Sequence, residues 1–276
     1  RQAPMKILIS VDIEGVAGVY HSQQVRAGNP EYERARRLMT DEANAAIAGA
    51  FDAGADEVLV NDSHGDFRNL LPDVLDARAQ VVQGKPRYLS MASGCELGVA
   101  GMCMVGYHSR AGGRGILAHT INSFAFAGIE FNGQPMSEAS LYGALAGEHG
   151  VPVLMGSGDD VFIEENRALF PHAAFVQTKR ATGQNSGVSL SPKKACEAIR
   201  AGVAEGIGRR AQARPLQLNT PLEVLLRTQT PALADLFCQW PEFERVDATA
   251  LRFGARTVEA AVRMLNCCSA MSAMLR

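Results

Sequence analysis

Lys6-Ile-Leu-Ile-Ser-Val-Asp-Ile-Glu-Gly-Val-Ala-Gly18 opens as an unbroken apolar run and turns abruptly into two acids and a glycine-bearing loop. A short continuous run of this kind, followed by a longer helical pattern, reads as a strand buried on both faces of a parallel sheet. The helix that should follow is well marked. Asn29 is its N-cap and Pro30 its first position, and Ala35, Leu38, Met39, Ala43, Ala46, Ile47 and Ala50 recur at helical spacing before Gly54. Glu57-Val-Leu-Val60, Met102-Cys-Met-Val105 and Val151-Pro-Val-Leu-Met155 repeat the buried-strand signal. The expected fold is therefore α/β, a mostly parallel sheet with flanking helices. Between Ser123 and Gly133, Phe124, Phe126, Ile129 and Phe131 alternate around Gly128 up to an Asn132-Gly133 turn. That predicts an antiparallel excursion, with an apolar surface suited to self-association, before a helix over 137–149. Beyond Pro171 the character changes. A polar stretch over 179–189, a helix from Ser191-Pro192 to about Gln212, strands over 222–227 and 250–253 and a helix over 258–274 predict a smaller α+β C-terminal portion. The division falls at 5–178 for the metal-binding α/β catalytic domain and 179–276 for the smaller domain.

Lys+Arg 27 against Asp+Glu 29 gives a net charge of -2, so the chain lacks the basic footprint that nucleic acid or an anionic membrane surface requires. Its longest uncharged apolar stretch, Leu97 to Tyr107, is about half of the roughly 20 residues a membrane-spanning helix needs. Cys95, Cys103, Cys196, Cys238, Cys267 and Cys268 form no regular framework, which predicts reduced thiols and a cytoplasmic protein. Cys267 and Cys268 are expected as buried small hydrophobes of the last helix. Arg1 to Pro4 read as a remnant ahead of a natural start at Met5.

The chemistry gathers where the strands end. Asp12 and Glu14 lie two apart just past the first strand, so both carboxylates can face one site beyond the carboxyl edge of the sheet, where open α/β sheets place ligands. Asn61-Asp62-Ser63-His64 and Gly106-Tyr107-His108 bring an imidazole to the same edge, and Glu138 sits in the first turn of the helix over 137–149. His21, His149 and His172 are expected to face solvent. Mixed carboxylate and imidazole groups without cysteine suit Zn²⁺ or Mn²⁺ in an open catalytic site. Five such groups exceed one open zinc and fit two metals about 3.5–4 Å apart with a shared carboxylate, for which Asp12 is the candidate. Gly15-Val-Ala-Gly18 lacks the spacing of a nucleotide-binding loop, and Asp12-Ile-Glu14 lacks the second Asp of a haloacid-dehalogenase nucleophile motif.

Ser10-Val-Asp12-Ile-Glu14-Gly15-Val-Ala-Gly18, Asn61-Asp62-Ser63-His64, Gly106-Tyr107-His108, His119-Thr120, Pro135-Met-Ser-Glu138 and Val151-Pro-Val-Leu-Met155 occur in order, and together they resemble the DppA-type zinc D-aminopeptidase family. The likeness runs from Met5 to about Pro192. It implies a binuclear zinc aminopeptidase, with two Zn²⁺ per subunit held by Asp12, Glu14, His64, His108 and Glu138. It also implies His119 as the catalytic histidine, short peptides with an N-terminal D-residue as substrates, and a homodecamer enclosing its active sites. Two rival readings use the same residues. A dinuclear phosphoesterase would need cations aimed at phosphate, for which Arg110 and Arg114 are the candidates, and a non-catalytic binding protein would need neither metal nor His119.

Overall fold

The computed structural model of the protein describes residues 3–276; Arg1 and Gln2, half of the expected N-terminal remnant, lie outside it. Strand β1 (Lys6–Val11) is followed by the short helix α1 (Ser22–Val25), the long helix α2 (Pro30–Asp52), and strands β2 (Glu57–Asp62), β3 (Ala79–Val82) and β4 (Gly101–Val105). The excursion forms β5 (Phe126–Phe131) and β6 (Gln134–Pro135), and the chain returns through α3 (Glu138–Glu148), β7 (Val153–Asp159), α4 (Asp160–Asn166), β8 (Ala174–Gly183), β9 (Ser186–Ser189) and α5 (Pro192–Gly208). Last come β10 (Leu222–Thr228), α6 (Pro231–Phe237), β11 (Glu244–Arg245), β12 (Ala250–Ala255) and α7 (Val258–Met271).

A seven-stranded sheet runs in the order β3-β2-β1-β4-β7-β8-β9, with only the edge strand β9 antiparallel. Successive side chains of a strand point to opposite faces, so Ile7, Ile9 and Val11 of β1 enter one core with α2 and α5, while Leu8 enters the other with Met102 and Met104. That second core is closed by α3, α7 and an antiparallel sheet ordered β11-β12-β10-β5-β6. The caps stand where the sequence places them: Asn29 accepts from the Tyr32 amide, Ser137 from Ser140 and Ser191 from Lys194.

The expected division at 178 falls inside β8, and α5 packs against α2 on the first sheet, while β5 and β6 belong to the second sheet. The polar change after Pro171 marks a sheet edge: β8 is covered on its outer side only by β9, whose residues are all exposed. The apolar residues of the excursion are not a free surface, because β5 pairs with β10 in the second sheet and Phe126, Ile129 and Phe131 are buried in the second core. Cys268 is buried as expected, but Cys267 is exposed on the outer side of α7. No helix among the described residues is long and apolar enough to cross a membrane.

The exits of β1 and β4 interlock. The Asp12 amide donates to the Val105 carbonyl and the Gly15 amide to the Gly106 carbonyl, each at 2.8 Å. A Cβ on Gly15 would overlap the Tyr107 carbonyl, and one on Gly106, whose φ is +70°, would overlap that of Asp12. Backbone cannot yield as a flexible side chain does, so Gly15→Ala should lower stability by about 2–3 kcal/mol and disturb the loop carrying Glu14. Urea unfolding of the purified variant measures this, and unchanged stability would contradict the interlock.

Candidate metal centre

β1 ends at Val11 and the chain turns over Ile13 to Gly15; the buried Ile13 enters the α2 core, while the Asp12 and Glu14 carboxylates both reach His64. His64 emerges after β2 and His108 after β4, and Glu138 enters from the first turn of α3. The structure thus brings all five predicted ligands to one place. His64 Nδ1 lies 3.2 Å from Asp12 Oδ1 and 3.3 Å from Glu14 Oε2. His108 Nε2 lies 3.3 Å from the other oxygen of Asp12, 4.0 Å from Glu14 Oε2, and directly against Glu138 Oε2. His119 completes the wall: its ring stacks on that of His108 with centroids 4.2 Å apart, and its Nε2 stands 3.8 Å from Glu14 Oε1. His21, His149 and His172 are exposed and remote from the cluster, as expected.

Each imidazole is oriented by a main-chain carbonyl. His64 Nε2 bonds the Val25 carbonyl at 2.7 Å, His108 Nδ1 that of Ser109 at 3.0 Å, and His119 Nδ1 that of Leu117 at 2.8 Å. In the neutral ring these bonds assign the proton to the outer nitrogen and leave the inner one as a lone-pair donor, the arrangement that orients histidine toward a metal. The His64 loop is fixed from below. Asp62, buried, accepts from the amides of Asn69 and Leu70, and the Asn69 side chain donates to both Asp62 and the His64 carbonyl.

The donor set fits a metal. With His108 neutral, the buried Glu14 Oε2, His108 Nε2 and Glu138 Oε2 have no hydrogen-bond partner, a costly state that a cation would relieve. Asp12, His64 and Glu14 form one group of mutually close donors, Asp12, His108 and Glu138 a second, and Glu14, His108 and His119 a third. Asp12 belongs to two of them through different oxygens. Donors that are all nitrogen or oxygen, with no thiolate, suit a catalytic Zn²⁺ or Mn²⁺. No lysine or arginine among the described residues pairs with Asp12, Glu14 or Glu138. Arg114 is exposed, and Arg110 donates to its own Ala111 carbonyl, so neither serves the cluster as a phosphate clamp.

Sequence reading missed the residues that carry this cluster from behind: Asp159, which accepts from the Ile116 amide in the His119 loop, and Lys179 and Glu42, which hold the Gly15–Val19 segment. Nothing in their local sequence separates them from surface charges. Their role is visible only through tertiary contacts.

The cluster is a candidate metal centre at the carboxyl edge of an α/β sheet, where such a site can activate water. Comparison with known proteins gives the family. The D-aminopeptidase model of peptidase family M55 matches residues 5–267, and the chain belongs to that family. It is 33% identical over 274 residues to the D-aminopeptidase of Bacillus subtilis (strain 168), covering 98% of this chain and 96% of that one. It also superimposes with a TM-score of 0.93, at 30% identity and 98% coverage of both chains, on the Zn-dependent D-aminopeptidase DppA from Bacillus subtilis, described as a self-compartmentalizing protease. The protein is therefore a peptidase, and the phosphoesterase and non-catalytic readings are set aside.

Without metal, the charges balance through protons. Burial opposes a charged His64 and a charged His108, but Glu14 and Asp12 beside the first, and Glu138 and Asp12 beside the second, lift both well above the usual imidazole range. Burial likewise opposes ionised Asp12 and Glu138, yet the imidazoles hold both carboxyls below their ordinary values. A metal held by these two histidines would displace their protons. Zinc loading at pH 7 should release about two protons per chain, seen by calorimetry in buffers of different ionisation enthalpy. A heat independent of the buffer would contradict this charge state.

Proposed function

We propose that the chain removes the N-terminal residue, a D-amino acid, from short peptides, with two Zn²⁺ ions held by Asp12, Glu14, His64, His108 and Glu138. The observation that carries the reading is Asp12, whose two oxygens face two different histidines at 3.2 and 3.3 Å and so can join two metal positions. Held there, zinc would supply Lewis acidity and an activated water for peptide hydrolysis.

The chain's own residues do the rest. Asp12 and Glu138 are nearly inaccessible while His64 and His119 are partly open, so substrate enters from the imidazole side. His119 holds its outer proton on the Leu117 carbonyl and presents Nε2 toward Glu14 and the open side. With Nδ1 keeping its proton on Leu117, Nε2 can take a proton and then, as imidazolium, donate to the oxygen that gains charge on the scissile carbonyl or pass that proton to the departing amine. Its stacking on His108 fixes the ring plane, so little reorganisation is needed during reaction.

A closed homo-oligomer, a decamer as the family likeness suggests, fits a substrate range limited to short peptides, and the self-compartmentalizing relative supports it. Six unpaired cysteines suit a cytoplasmic setting.

The test compares matched D-Ala and L-Ala anilides and dipeptides on zinc-reconstituted protein with a chelated control. Chelator-sensitive cleavage of the D-substrates is expected, and a preference for L-substrates would overturn the stereochemical assignment. His119→Ala should lower kcat by about 10²–10⁴-fold with zinc content unchanged. Zinc loss in that variant would instead make His119 a ligand.

A further inference from the structure

Behind Glu14 lies a buried cation that the reaction does not use. Lys179 of β8 is 3% exposed, and its Nζ donates to the Glu14 carbonyl at 2.6 Å and to the Val19 carbonyl at 2.5 Å, closing both ends of the loop that leaves β1. Between those ends, Thr178 donates to the Gly15 carbonyl at 2.8 Å, Glu42 of α2 accepts from the Ala17 amide at 2.9 Å, and Ser189 accepts from the Gly18 amide at 2.9 Å. The loop is thus held from the sheet edge on one side and from α2 on the other.

Burying an ammonium is costly, and an apolar side chain of similar volume fills such a space without that cost. Two of the three donors of Lys179 are spent on the main chain of one metal ligand and its loop, while Glu42 and Asp159 supply the balancing charge. Asp159 in turn accepts from the Ile116 amide at 2.7 Å, in the segment that leads to His119. The cation therefore stands between the supports of Glu14 and of His119.

We infer that Lys179 is a positioning residue for the metal centre: through the Glu14 and Val19 carbonyls it fixes the loop so that the Glu14 carboxylate stands between His64 and His119. This rests on the metal-centre reading above. Glu14 Oε2 lies 3.3 Å from His64 and Oε1 lies 3.8 Å from His119, so a small rotation of the loop would unseat both relationships. Of the residue groups at the site, the one formed by Asp12, His108 and Glu138 does not include Glu14 and should be insensitive to Lys179.

Zinc titration against a competing chelator, together with thermal melting of the metal-free protein, tests this on the full chain, on Lys179→Met and on Lys179→Met/Glu42→Gln. The double variant keeps an acceptor for the Ala17 amide and leaves no lone carboxylate at 42, so it carries the test if the single variant does not fold. Wild type should bind two zinc ions, and the variants should keep the first and bind the second about 10–100-fold more weakly. Variants that melt at lower temperature yet bind the second zinc as wild type does would make Lys179 a purely structural residue and overturn the inference. A wild-type protein that takes up no zinc would overturn the metal-centre reading itself.

Discussion

The position of Asp12 is the constraint on which the site depends. Its amide extends the β1 to β4 ladder by one bond to Val105, so the carboxylate leaves the sheet at a fixed height, with one oxygen toward the His64 side and the other toward the His108 side. The glycines at 15 and 106 permit this approach, since neither strand exit has room for a Cβ. Everything else at the site arrives by topology. Adjacent parallel strands β2, β1 and β4 end at the same edge, and the antiparallel excursion delivers α3 so that Glu138 reaches in from the far side.

Electrostatics explains why so many charged groups tolerate burial together. Three carboxylates and the His108 imidazole are nearly dehydrated, with His64 only partly open, and each would be costly alone. Together they compensate, by protonation of the histidines when the metal is away and by the metal's own charge when it is bound. The support behind them follows the same logic: Lys179, Glu42 and Asp159 form a second buried set whose hydrogen bonds go mainly to the main chain of the two functional loops. Burial sets Lys179 down to about 8 and Glu42 up to about 7, with their mutual attraction opposing both changes.

Much of this was legible in the sequence, because strand ends in an α/β fold convert sequence position into spatial position. The apolar runs located β1, β2, β4 and β7, and the acids and histidines directly after them had to share an edge. The caps at Asn29, Ser137 and Ser191 are local hydrogen bonds and were equally readable. What could not be read depends on contacts far apart in sequence. A polar edge strand and a domain boundary have the same local composition, so the expected division at 178 lies within β8, and the excursion around Phe126 reads as exposed surface because its partner β10 lies about a hundred residues away along the chain. In the sequence Lys179 opens a polar stretch, and only the fold places its ammonium beneath Glu14.

The central claim is that Asp12 joins two metal positions. Anomalous diffraction at the zinc edge from zinc-loaded crystals addresses it directly. The account predicts two peaks about 3.5–4 Å apart, each within bonding distance of a different oxygen of Asp12. A single peak, or two peaks with both oxygens of Asp12 on one metal, would contradict it.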